Sequence, residues 1–178
     1  MIIDDPQSFF IYVFHPDSLS DSGAYIAYQG NRLTNKEYME HWGKWIVMDE
    51  RENLDALAKK LNPYVESRHI PCIKYDRYPP PMFELGVCVM SVFCDDRARD
   101  EVWEILSQHG VKMQVWIYDK FTIEMWQPGG ALLETWISSH DLDEHQAEEI
   151  RSDVQMRMNQ TYGSEDDTCT GWTQCYLP

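Results

Sequence analysis

Basic residues are scarce in this chain. Fifteen Lys and Arg stand against thirty Asp and Glu, a net charge of −15, and a field of that sign repels polyanions, which argues against duplex nucleic acid as a partner. Long apolar runs are also missing: no stretch of about 18 apolar residues is present, so no membrane span is expected. The opening Met1-Ile2-Ile3-Asp4-Asp5 has no basic region of the kind that begins a signal peptide. A cytoplasmic protein is the expectation. Cysteine is limited to Cys72, Cys88, Cys94, Cys169 and Cys175, an odd number without a CxxC pair, so reduced thiols are the default and no zinc site is expected. Only Cys169 and Cys175, in a turn-rich tail, are spaced for a disulfide, and that would need an oxidising compartment.

Chemical motifs are equally thin. The six histidines, His15, His41, His69, His109, His140 and His145, form no HExxH and no Ser/His/Asp pattern. His140 and His145 would lie about 140° apart on a helix, too far round to share a metal. Gly129-Gly130 lacks both the GxGxxG spacing and a following Lys-Ser, so no glycine-rich phosphate loop is expected. No metal and no cofactor are called for.

What is present is a composition of one globular domain: 178 residues, 43% hydrophobic and 13% aromatic, enough to bury a core. Ser8–His15 and Ala24–Tyr28 read as early strands around a turn cluster, Asp17–Gly23. Thr34 followed by Glu37 is a capping box opening a short helix through Trp42, which Gly43 can end. Lys44–Asp49 reads as a strand, and Leu54, Leu57, Ala58 and Leu61 then fall at i, i+3, i+4 and i+7 of an amphipathic helix over Asn53–Val65. Ile70–Asp76 and Gly86–Cys94 are further strands, separated by the Pro79-Pro80-Pro81 stop. Cys88 and Cys94 share one face of the second, where they fill core space. Ala98, Val102, Ile105 and Leu106 mark a helix ended by Gly110. Val111–Tyr118 and Phe121–Gln127 suggest a hairpin about Asp119-Lys120. After the apolar stretch Ala131–Ile137, Asp141 with Glu144 opens a helix carrying Ala147, Ile150, Val154 and Met158 on one face. The sum is an α+β fold, a mainly antiparallel sheet with about three helices packed on one face. It spans residues 1–162 as one domain, with 163–178 an acidic tail containing Cys and Trp.

The segment Trp42-Gly43-Lys44-Trp45-Ile46-Val47 entering a strand before an amphipathic helix resembles the opening of the cap-binding translation initiation factor fold. Gly43–Asp49, Ile70–Arg77 and Val87–Tyr118 look more like a family of uncharacterised proteins sharing that fold, the basophilic-leukaemia-expressed type, in which a GKW strand and helix precede a VCV-type strand, a helix and a further strand. The resemblance spans about half of the chain. It implies a curved antiparallel sheet backed by helices, with a concave face able to take a small planar ligand or a peptide. The paired tryptophans that sandwich a methylated guanine in the cap-binding proteins do not carry over. Glu50–Asn53 holds no aromatic residue, and Asp76–Leu85 offers Tyr78 and Phe83 instead.

Seven tryptophans are many for such a domain, and aromatic faces stack on bases and cations. Trp45 and Trp103 sit among apolar neighbours and read as core. Strand alternation places Trp116 and Tyr118 with Lys112 and Gln114 on one face, opposite Val111, Met113, Val115 and Ile117. An aromatic ligand surface is therefore expected at Trp116, Trp126, Tyr118 and Lys112, joined by Tyr78 and Phe83. If that face is open, Trp116→Ala would cost less than about 1 kcal/mol. The leading functional reading is a binding domain for a small planar, nucleotide-like molecule or a peptide. Two alternatives stand beside it. One is an enzyme acting on a phosphorylated or polar substrate with a lysine base, from among Lys44, Lys74, Lys112 and Lys120. The other is an acidic domain that docks a basic protein partner: between Glu134 and Asp167 ten acidic residues face only Arg151 and Arg157.

Overall fold

Alternation along the strands divides the aromatic and aliphatic residues between two layers. The computed structural model describes residues 1–19, 26–80 and 86–170. Its strands are β1 (Ile2–Ile3), β2 (Phe10–Phe14), β3 (Ala27–Tyr28), β4 (Asn31–Arg32), β5 (Trp42–Asp49), β6 (Cys72–Asp76), β7 (Cys88–Asp95) and β8 (Trp116–Tyr118). Six of them form one sheet in the order β1-β2-β6-β7-β5-β8, and β3 and β4 form a separate small hairpin. Every pairing is antiparallel among the described residues. The helices are α1 (Asn35–His41), α2 (Arg51–Glu66), α3 (Arg99–Gln108), α4 (Asp119–Met125), α5 (Ala131–Ser139) and α6 (Glu144–Tyr162).

The class is α+β, as the sequence indicates. The helices are more numerous than three, however, and they pack on both faces. Ile11, Val13, Ile73, Tyr75, Cys88, Met90, Val92 and Cys94 point to one side, where Leu54, Leu57, Ala58 and Leu61 of α2 and Val102, Ile105 and Leu106 of α3 close over them. Phe14, Cys72, Phe93 and Trp42 point to the other, against Ile123 of α4, Leu133 and Ile137 of α5, and Val154 and Met158 of α6. Of this second layer the sequence indicates α1 and α6 as helices, whereas 119–125 reads as strand and 131–137 only as an apolar stretch, because neither carries a sustained helical period.

Three boundaries differ from the sequence reading. Gly43 does not end α1: the helix stops at His41 with Trp42 as its C-cap, and Gly43 lies inside β5. The expected second hairpin is absent, because 119–125 is helical and β8 is only three residues long. Asp119 at the first position of α4 is held by two partners from other elements, a tertiary constraint that alternation cannot reveal. Finally α6 is capped by Asp143 with Gln146 rather than by Asp141 with Glu144. The Thr34–Glu37 capping box is formed as expected: Thr34 accepts from the Glu37 backbone N–H and Glu37 accepts from that of Thr34. Thr34→Ala should therefore cost about 0.5–2 kcal/mol in urea denaturation. The hydrogen bond from the Thr34 backbone holds the Glu37 carboxyl below the usual glutamate range. Its stabilising contribution is complete above that range and is lost as the pH falls through the lowered value.

Beyond Tyr162 the chain returns to α1. Asn35 donates its backbone N–H to Asp167 O and its side-chain amide to Ser164 O and Thr161 O, and Cys169 N–H bonds Leu33 O. Cys169 is buried there, and Cys175 lies outside the described residues.

Candidate functional site

On the side of the sheet that faces α6, the register aligns side chains in rows running across the strands. The row Phe14–Cys72–Phe93–Lys44–Ile117 lies under the helices. The next row is Tyr12–Lys74–Ser91–Ile46. Beyond it lie Phe10 with Asp76, and Val89 with Met48. Phe10, Ile46, Val89 and Met48 belong to neither hydrophobic cluster, and all four are half-buried or exposed. Among the described residues the helical layer thus covers one half of this face; the other half carries Phe10, Tyr12 and Lys74, with Ser91 buried between them.

The rings there are ordered against one another. Tyr12 stacks on Phe14 with centroids 5.3 Å apart, and Phe10 meets Tyr12 edge-on at 6.3 Å. The Lys74 ammonium lies 4.4 Å from the centre of the Phe10 ring, a cation–π contact. Asp76 closes the row: it accepts from Val89 N–H at 2.8 Å, and burial raises its carboxyl above the usual aspartate range. At the border with the helical layer, Lys44 bonds Asp119 at 2.6 Å, and the Tyr38 hydroxyl donates to the other oxygen of the same carboxylate. Lys44 is 8% and Asp119 3% exposed, so this is a buried ion pair joining β5, α4 and α1.

A second polar cluster sits at the other end of β5 and β7. Asp95 takes both arms of Arg97 at 2.7 Å, while Asp96 accepts from Tyr118 OH at 3.0 Å and meets His41 Nδ1 at 3.0 Å. The bond to Asp96, ahead of burial, pushes the Tyr118 phenol up. His41, Asp95 and Asp96 offer ligand atoms within 4.8 Å of one another, but every one of those carboxylates already has a protein donor. A divalent ion here would have to displace Arg97 from Asp95. A groove of about 690 Å³ between Pro128 and α6 is lined by Arg151 and by exposed side chains of that helix, and touches neither cluster.

The residues singled out from the sequence are scattered. Trp116 and Tyr118 are neighbours, but the Trp116 ring packs on Trp45 at 5.3 Å, on the side of the sheet covered by α2 and α3. Met113, placed with the core by alternation, is 59% exposed, because 111–115 is not part of β8 and the expected alternation does not extend through it. Lys112 is exposed there. Trp126 is the C-cap of α4 and packs in the other cluster. Tyr78, 71% exposed, follows β6 at the end of the sheet opposite to Tyr118. Phe83 lies outside the described residues. The Phe10–Tyr12–Lys74–Ser91 surface did not stand out, although one signal for it is visible: Phe10-Ile11-Tyr12-Val13-Phe14 alternates aromatic with aliphatic, as a strand with two differently used faces would.

No family model, no curated protein and no solved structure matches this chain. Among the described residues no helix is long and apolar enough to cross a membrane.

Proposed function

We propose that this is a cytoplasmic, non-catalytic binding domain whose ligand is a small planar molecule received over Phe10, Tyr12 and Lys74, on the half of the sheet that no helix covers among the described residues. The observation that carries the reading is the asymmetry of the sheet. One face is closed along its length by α2 and α3, whereas the other, among the described residues, leaves the Phe10 ring and the Lys74 ammonium half-exposed in neighbouring register positions, beside Tyr12 and the buried Ser91. Rings supply stacking of about 1–3 kcal/mol each, and the polar groups supply orientation. The four buried cysteines among the described residues, Cys72, Cys88, Cys94 and Cys169, form no disulfide with one another, which suits a reducing compartment. On this reading the ligand surface lies on β2, β6 and β7 rather than around Trp116. Of the four lysines considered as catalytic bases, Lys44 is buried against a carboxylate, Lys112 is exposed, and Lys74 and Lys120 lie over aromatic rings.

The test is calorimetric titration of the whole chain with nucleotides, cap analogues and proline-rich peptides, repeated on Phe10→Ala. Phe10 is half-exposed and outside both clusters, so the variant should keep its stability within about 1 kcal/mol. Its affinity for a planar ligand should fall about 5- to 150-fold, the equivalent of one lost stacking contact. Binding that is unchanged in Phe10→Ala, or a panel without any heat at about 1 mM, would overturn the reading.

A further inference from the structure

One group on the open half of the sheet has fewer partners than its burial calls for. Asp76 lies at the end of β6, in register with Phe10 of β2, and the next step of the β6–β7 register puts Val89 on its other side. Strand alternation directs these three side chains to the face that carries Tyr12 and Lys74. Asp76 is only 8% exposed. Its Oδ2 accepts from Val89 N–H at 2.8 Å. Its Oδ1 has no hydrogen-bond or ion-pair partner among the described residues, yet it is not sealed from solvent. Lys74, two positions along the same face, places its ammonium 4.4 Å from the centre of the Phe10 ring rather than in an ion pair with Asp76. An ionised carboxylate can accept about four hydrogen bonds, and this one has a single protein donor. Burial outweighs that bond and raises the carboxyl, as it does for a carboxylate short of donors.

Resting on the ligand surface proposed above, we infer that Asp76 selects the ligand: the planar molecule is a heteroaromatic bearing an amino group, which enters edge-first between Phe10 and Val89 and donates an N–H to Asp76 Oδ1. Neighbouring strands lie about 4.8 Å apart, so the backbones of Phe10 and Val89 are separated by about 10 Å, with the carboxylate on the floor between them. A flat ring needs about 3.5–4.0 Å to each wall, a width that suits one ring. Phe10 and Val89 are half-buried and apolar, so they supply contact and no direction. Direction comes from the carboxylate. A hydrogen bond to a charged, desolvated acceptor is stronger than one between neutral groups. A ligand with a carbonyl at that edge would set its oxygen against the carboxylate and leave both without a donor. The slot therefore prefers a donor edge and rejects an acceptor edge.

The test is calorimetric titration of the whole chain with quinoline and with the aminoquinoline that bears its amine beside the ring nitrogen, two bicycles of closely similar shape. The aminoquinoline should bind about 10- to 150-fold more tightly, the equivalent of one hydrogen bond to a charged group. Asp76→Asn keeps an oxygen for Val89 N–H and turns an amide N–H toward the ligand, so it should bring the aminoquinoline down to the level of quinoline without weakening quinoline. In the unaltered chain the Asp76 carboxyl-carbon resonance should move with the aminoquinoline and stay in place with quinoline, a reading of the contact that needs no variant. Phe10→Ala should weaken both probes alike. Equal affinity for the two probes, a preference that survives in Asp76→Asn, or an unmoved carboxyl resonance, with Phe10→Ala still weakening both, would overturn the role of Asp76 and leave the planar-ligand surface in place. Probes that do not bind at about 1 mM, or that bind equally well to Phe10→Ala, would overturn the surface and the role of Asp76 with it.

Discussion

Replacing Asp119 by leucine should lower the stability of the domain by about 3–5 kcal/mol, the range observed when one partner of a buried ion pair is removed. Three elements meet at this carboxylate. Lys44 of β5 reaches it at 2.6 Å, and Tyr38 of α1, fully buried, donates its hydroxyl. Without Asp119 the Lys44 ammonium stays under the Phe93 ring, 5.4 Å from its centre, with its carboxylate gone, and an unpaired buried cation is far more costly than an unpaired amide. The desolvation argument makes a second, sharper prediction. Attraction within a buried pair largely offsets the cost of taking both charges out of water, so the pair as a whole contributes little. Lys44→Met combined with Asp119→Leu should therefore recover most of what Asp119→Leu loses, leaving a deficit of about 1 kcal/mol from the lost Tyr38–Asp119 hydrogen bond. Urea denaturation of the two single variants and the double variant gives the cycle. Additive losses would show that Lys44 and Asp119 act separately and that the pair does not anchor α4.

The first layer of the fold was legible because its residues obey a single period. Leu54, Leu57, Ala58 and Leu61 declare a helix, and Cys88 and Cys94 lie on one face of β7 as their even separation requires, both buried beside that helix. The capping box at Thr34 is a local device and was equally readable. The second layer was legible only in α1 and in α6, whose Ala147, Val154 and Met158 keep one face. The helix over 119–125 buries Asp119 and Ile123, and its start depends on Lys44 and Tyr38, seventy-five and eighty-one positions away. No local pattern encodes such a contact.

The open half of the sheet failed to appear for a related reason. Lys74 draws notice in the sequence only as one of four candidate lysine bases, and it joins Tyr12 and Ser91 only through the pairings Tyr12↔Lys74 and Lys74↔Ser91. Register is what joins them. A slip of one residue in β6 would send Lys74 to the α2 side and bring Ile73 or Tyr75 out, so the candidate site rests on how the hydrophobic pattern of β6 fixes its pairing. The acidic excess of α6, by contrast, was fully visible and marks a solvated face, where Glu134, Glu144 and Glu148 gather around Arg151.

Trp116 is where the period misled, and Gly43 supplies the decisive experiment. Alternation put the ring on a wet face, but a Cβ built on Gly43 would collide with Trp116 Cζ2 and lie 2.8 Å from the Ile117 carbonyl oxygen. The indole is therefore laid across the one position of β5 that has no side chain, with Trp45 beyond it and Trp45 in turn 5.0 Å from Trp103. Trp116→Ala should then cost about 2–4 kcal/mol, somewhat below a fully enclosed tryptophan because the ring is half-buried. Gly43→Ala should cost about 1–3 kcal/mol by overpacking, since the contact on one side is backbone and cannot rotate away. In the double variant the new methyl occupies space that the indole has left, so its loss should fall short of the sum by about 1–2 kcal/mol. Chemical denaturation of all three decides the matter. A loss below about 1 kcal/mol for Trp116→Ala, or strict additivity with Gly43→Ala, would return the ring to the exposed face that alternation assigns it.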